Sequence, residues 1–160
     1  MRNFPFSPTV LIFSFIMAII VWIIRDQYNR KQRKSLTQEI ENDKVKVVYL
    51  EAKSTRKISS FMGFSVQWEN AEVIFTEKSV LYFSYLSLFG YRLYMFVRHL
   101  YIPGARVPYN LSRSSIIKDI EIEGRDLLIT SAQKFSVVTT RFKDIVSSDQ
   151  FDVIKKLLDL

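Results

Sequence analysis

The sequence predicts a mainly β protein with α: an N-terminal transmembrane helix, then a curved antiparallel sheet or partly open barrel with a C-terminal capping helix. Three observations carry this. Residues 4–24 run for 21 positions without a charged side chain. From about residue 44 the chain divides into short runs rich in β-branched and aromatic residues, separated by turn signals. Its C-terminal segment carries an apolar stripe at helical spacing.

The first element is the apolar run FPFSPTVLIFSFIMAIIVWII. About 20 apolar residues cross the hydrocarbon of a bilayer as a helix, and a lone span must be helical to satisfy its own backbone. After a tail of residues 1–7, Ser7-Pro8 suits the helix start, as a cap followed by a proline whose missing N–H is not needed. A cleaved signal and a buried core helix are the competing readings. The bulky Val21-Trp22-Ile23-Ile24 offers no small-residue cleavage site, and the run is long for a core helix at a terminus. The span is read as residues 8–24.

Arg25, Arg30, Lys31, Arg33 and Lys34 follow, against the single acid Asp26. Lys/Arg-rich flanks stay cytoplasmic, which places the N-terminus outside and residues 25–160 in the cytoplasm of a plasma or inner membrane. These five cations are also candidates for gathering anionic lipid headgroups. Residues 25–43 are rich in helix formers and free of Gly and Pro, so they continue the helix as a charged stalk. With only Tyr28, Leu36 and Ile40 as apolar content, the stalk is expected to be solvated or to rest on headgroups.

Residues 44–160 form the β domain. Lys44–Val47 alternates, whereas Val48–Glu51 fits a strand or a helix end. Ile58–Trp68 reads as a strand broken near Gly63, and Ala71–Thr76 pairs with Val80–Tyr85 through a polar turn. Leu86–Gly90 reads as an apolar loop, Tyr91–Ile102 as a long strand and Pro103–Arg106 as a break. Ile116–Glu123 and Leu127–Ser131 flank Gly124-Arg125, which has the form of a type II′ turn. Phe135–Phe142 is the last strand. Ser147 stands three residues before Gln150 as a capping box for a helix over 148–159. Phe151, Ile154, Leu157 and Leu158 are its apolar stripe.

This order resembles the pleckstrin-homology-like (PH-like) superfold, including its GRAM-like and small bacterial membrane-anchored branches. The likeness rests on AEVIFTEKSVLYF (71–83), RVPYNLSRSSIIKDIEIEG (106–124), DLLIT (126–130), KFSVVTTRF (134–142) and the terminal helix. It implies a barrel-like, non-catalytic module that binds a membrane surface or a protein partner. Phosphoinositide-binding members carry a basic arrangement in the first hairpin. Here only Lys78 stands in that turn, so headgroup specificity does not carry over.

Composition narrows the function. There is no cysteine and one histidine, His99, so thiolate metal sites and Cys–His nucleophiles are absent. Four glycines and no phosphate-loop, dinucleotide or hydrolase motif leave no cofactor expected and no enzyme activity. The net charge is +7, and residues 79–118 contain no acid. Within that stretch Phe89, Tyr91, Arg92, Arg98 and Arg106 are candidates for touching the bilayer or a partner: an apolar tip with arginines for headgroups. The bland alternative is an ordinary aromatic strand core. Nucleic acid is not an expected partner for a membrane-tethered chain of moderate charge. A second span through 80–102 would bury Arg92 and Arg98 at about 2.5–3.5 kcal/mol each. A structural or assembly subunit of a larger membrane complex, pairing through an aromatic strand edge, is the alternative function.

Overall fold

The structure is a computed structural model, and it describes residues 8–42, 46–60, 63–105, 114–133 and 136–160. Ser7, Arg106 and the whole VPYNLSR segment (107–113) lie outside the described residues. One helix, α1 (Pro8–Asn42), is followed by β1 (Val48–Ser60), β2 (Gly63–Thr76), β3 (Ser79–Leu88) and β4 (Tyr91–Tyr101). Then come β5 (Ser114–Glu123), β6 (Asp126–Gln133), β7 (Ser136–Phe142), a 3-10 turn (Ile145–Ser147) and α2 (Phe151–Leu158). The protein is mainly β with α.

The strands close into a barrel in chain order, with β1 bonded to both β2 and β7. Each neighbouring pair is antiparallel except β4 and β5, which run parallel over only three residue pairs, His99–Tyr101 with Ser114–Ile116. The expected all-antiparallel sheet fails at this seam for a topological reason. Seven strands that alternate in direction cannot close a ring without one parallel pair.

Strand alternation sends Val48, Ala52, Val73, Phe75, Val80, Leu100, Leu127, Ile129 and Phe142 into the barrel. Phe151, Ile154, Leu157 and Leu158 of α2 join that cluster and close one end. The helix is short, and its start differs from the sequence reading. Ser147 belongs to the 3-10 turn, whose Ile145 is buried, so the capping box does not form. Instead Ser148 Oγ accepts the Gln150 N–H at 3.2 Å.

Three strands are longer than their sequence patterns suggested. β1 and β2 pair continuously from Val48–Phe75 to Ser60–Gly63. Leu86–Leu88 belong to β3, so the apolar loop shrinks to the two-residue turn Phe89-Gly90, both with positive φ (49° and 80°). Positive φ at both central positions is the twist-matched hairpin geometry.

The half of α1 from Pro8 to Ile24 is exposed throughout and is long and apolar enough to cross a membrane. The other half is not a solvated stalk. Asp26, Asn29, Leu36 and Ile40 are buried, against a second apolar cluster on the outer face of β2, β3 and β4. That cluster contains Ile74, Leu81, Phe83, Tyr85, Tyr94 and Val97. Positions 26, 29, 33, 36 and 40 form one narrow helical stripe, and an Arg, an Asp and an Asn inside it hide the stripe from hydropathy.

Candidate functional site

The joint between α1 and the barrel is built on the edge of β4. Beyond the three-residue seam with β5, that edge has no strand beside it among the described residues. Side chains of α1 take the strand's place. Asp26 Oδ1 accepts the Tyr94 N–H at 2.8 Å, and Asn29 Nδ2 donates to the Tyr94 carbonyl at 2.8 Å. Arg25 Nε donates to the Met95 carbonyl at 2.8 Å, and Arg30 reaches the Arg92 carbonyl. Covering an edge strand with a helix satisfies backbone groups that would otherwise recruit another chain.

Charges lock the joint. Arg30 Nε pairs with Asp26 Oδ2 at 2.7 Å, and this hydrogen bond raises the arginine's affinity for its proton. Tyr91 Oη donates to the same carboxylate oxygen at 3.2 Å, and the Arg30 guanidinium lies 4.6 Å from the Tyr91 ring centre. On β2, Glu72 receives Arg33 Nε at 2.6 Å, Arg92 Nη1 at 2.8 Å and Tyr94 Oη at 2.6 Å. Burial pushes the Glu72 carboxyl up, but the Tyr94 and Arg33 hydrogen bonds outweigh it and hold it below the usual range. The Tyr94 phenol is pushed up to about 12 by burial and by that carboxylate. Arg92 also meets Glu51 at 2.7 Å.

The sequence candidates therefore separate into groups. Arg25, Arg30, Arg33 and Arg92 converge on the joint, where protein carboxylates and carbonyls engage them. Lys31 and Lys34 are exposed, off the buried stripe of α1. Phe89 is fully exposed at the β3–β4 tip, with Leu88 and Tyr91 half-exposed beside it. Arg98 points into the barrel, and Arg106 lies outside the described residues. The acid-free stretch 79–118 does not produce a bare cationic edge at Arg92, because strand pairing brings Glu51 and Glu72 across to it.

The barrel lumen has a polar half that the sequence reading missed. Alternation places Ser54 and Arg56 of β1, Glu69 of β2, Ser84 of β3 and Thr140 of β7 inside, all buried or nearly so. A cavity of about 470 Å³ is lined by Arg56, Gln67, Glu69, Ser84, Phe96 and Arg98, and it reaches Arg25, Tyr85, Leu86 and Met95. It opens at the bulge where Tyr85 pairs with Tyr94 and Ser84 with Phe96, which leaves Met95 without a partner across the ladder. Burial raises the Glu69 carboxyl, opposed by the nearby Arg56, Ser84 and Arg98. Tyr82, at the border with the apolar half, meets Phe142 and Phe96 edge-on, with ring centres 5.5 and 6.3 Å apart.

His99 is on the outer side of β4, fully buried and stacked on Tyr101 with ring centres 5.5 Å apart. Burial lowers its pKa to about 4. Among the described residues no group of three or more His, Cys, Asp or Glu is placed to hold a metal. Compared with protein-family models, with curated proteins and with solved structures, the chain matches none.

Proposed function

We propose that this chain is a single-pass membrane protein whose PH-like barrel is a non-catalytic module working at the cytoplasmic face of the bilayer. The observation that carries the reading is the rigid continuity of α1. Its apolar half ends at Ile24, and the residues that bolt it to β4 begin at Arg25 and Asp26. No flexible tether separates span from barrel.

Register gives the barrel an orientation. Along the strands, Asp26 is level with Tyr94, Arg33 with Glu72, and Ile40 packs with the cluster containing Ile74 and Leu81, nearer the α2 end. Followed backwards, the helix leaves on the side away from α2. That side carries the Phe89 tip, and Tyr91, two residues from Phe89, bonds Asp26. An exposed Phe flanked by Leu88 and Tyr91 suits the membrane interface. The Lys/Arg excess after Ile24 supports the cytoplasmic assignment, and the exposed Lys31 and Lys34 remain for anionic headgroups. Pairing through a strand edge, one part of the assembly-subunit reading, loses support at β4 because α1 already covers that edge.

The test uses the full chain reconstituted in liposomes, with Phe89→Cys carrying a fluorophore and brominated lipids as quenchers. Quenching at position 89, and none for the same label on Glu77→Cys at the opposite end, is the expected result. Equal quenching at both sites, or none at 89, refutes the orientation.

A further inference from the structure

The polar half of the lumen holds more donors than the described protein groups satisfy. The Arg56 side chain is 5% exposed, yet its Nε and Nη1 make no hydrogen bond. Its Nη2 reaches Gln67, and Glu69 Oε1 stands 3.8 Å from Nη1, an ion-pair distance outside hydrogen-bond range. The Ser54 hydroxyl beside it is likewise without a partner. Arg56 and Arg98 converge on one ring, with guanidinium carbons 4.6 and 5.0 Å from the Phe96 centre. Three arginines, Arg25, Arg56 and Arg98, thus line a cavity with a single carboxylate, Glu69, among the described residues. Burying an undercompensated guanidinium costs several kcal/mol, and its planar fork matches a phosphate or carboxylate.

The cavity is also graded. Its deep end is cationic, whereas Tyr85, Leu86 and Met95 make its outer wall apolar. Arg25, the first residue after the apolar run, stands at its mouth. About 470 Å³ is within the size range of small-ligand sites.

We infer that the lumen binds the oxyanion headgroup of a membrane amphiphile, a phosphate or carboxylate, head-first between Arg56 and Arg98, with its apolar part passing Leu86 and Met95. The amphiphile source rests on the membrane reading above; the oxyanion site itself rests only on the lumen. Nothing in the sequence pattern pointed to Arg56, because a lone Arg in a β-strand reads as surface.

The experiment is calorimetric titration of the full chain in maltoside micelles with dihexanoyl phosphatidic acid, dihexanoyl phosphatidylcholine and inorganic phosphate. Phosphatidic acid should bind one to one and at least about tenfold tighter than either other probe, through one more charged hydrogen bond than phosphatidylcholine can make and through acyl-chain burial that inorganic phosphate lacks. Arg56→Gln and Arg98→Gln should each weaken it by about tenfold or more. Because Arg56 is buried, Glu69→Gln provides a variant that misfolding cannot imitate. Removing the carboxylate that faces Arg56 takes away the site's competing anion and should tighten binding. Binding unchanged in both arginine variants, or weakened in Glu69→Gln, overturns the site. Inorganic phosphate binding as tightly as phosphatidic acid overturns the amphiphile and leaves a free-oxyanion site. Release of the chain from membranes by alkaline carbonate would sink the membrane reading separately, since the micelle titration does not depend on it.

Discussion

Replacing Asp26 by Ala tests the joint at the point where most of its bonds meet. The carboxylate is buried, with 7% of its side chain exposed, and it accepts from the Tyr94 N–H, Arg30 Nε and Tyr91 Oη. Alanine leaves the Tyr94 amide without an acceptor on an edge that β5 does not reach. A hydrogen bond from a buried backbone N–H to a charged acceptor is worth about 1.5–3 kcal/mol. The Arg30 pair, with its cation 38% exposed, adds less than about 1 kcal/mol after solvent screening. Relief from burying a carboxylate offsets part of this. The net loss is about 2–3 kcal/mol, confined to the α1–β4 joint.

The assay is amide hydrogen exchange on the full chain in micelles, read at Tyr94. A loss of that size predicts roughly 30- to 160-fold faster exchange at Tyr94, with β6 and β7 amides unchanged. Asp26→Asn keeps one acceptor oxygen and should fall between the two. Tyr94 exchanging at the wild-type rate in Asp26→Ala would show that the carboxylate does not hold the edge.

Three further outcomes follow from the same packing. Ile154→Ala, at a fully buried position of α2, should cost about 2–5 kcal/mol and lower the denaturant midpoint with an unchanged slope; an unchanged midpoint would remove α2 from the core. The His99 imidazole, held down to about 4 by burial, stays neutral in the native barrel while the unfolded chain protonates near 6.5. Stability is therefore full above about pH 6.5 and falls by about 3 kcal/mol as pH drops towards 4, at about 1.4 kcal/mol per pH unit. His99→Leu should flatten that fall; parallel slopes in the two proteins would refute it. Glu72, held below the usual carboxylate range, begins to lose its contribution only below about pH 4.5, at the acid end of this window. A chain of residues 44–160 should self-associate in sedimentation through the uncovered β4 edge and the Ile74, Leu81 and Phe83 face; a clean monomer would refute the role of α1 as its cover.

Legibility in the sequence followed how local the cause of each feature was. Phe151, Ile154, Leu157 and Leu158 recur with the period of a single helix, so the cap was readable although its first residue was not. Leu86–Leu88 read as loop because apolar content alone does not distinguish a hairpin arm from a tip. The long pairing of Val48–Ser60 with Gly63–Thr76 was obscured by the Arg56 and Glu69 that alternation turns inward. Arg56 is one half of the inferred luminal site, and Glu69 is the carboxylate that faces it there. Each breaks the apolar rhythm of its strand, and that break is a usable signal once the strand is recognised. Asp26 could not be read at all. Its backbone partner, the Tyr94 N–H of β4, is open to it only because a seven-strand ring closes through a short parallel seam.

That seam explains why α1 and barrel form one structural unit. Odd strand number forces a parallel pair; here it spans three residues and leaves most of β4 open on one side. An open edge beside an apolar outer face would be a liability in a free domain. In this chain both are consumed by α1, and the consuming residues start directly after its apolar run. Pulling on the apolar half of α1 therefore loads the β4 edge, which also forms one wall of the luminal cavity through Met95, Phe96 and Arg98. Arg25 belongs to both, bonding the Met95 carbonyl and lining the cavity mouth. The mixed arginine, aspartate and asparagine stripe on α1 follows from that arrangement: bonding strand backbone calls for polar side chains where packing alone would have selected leucine.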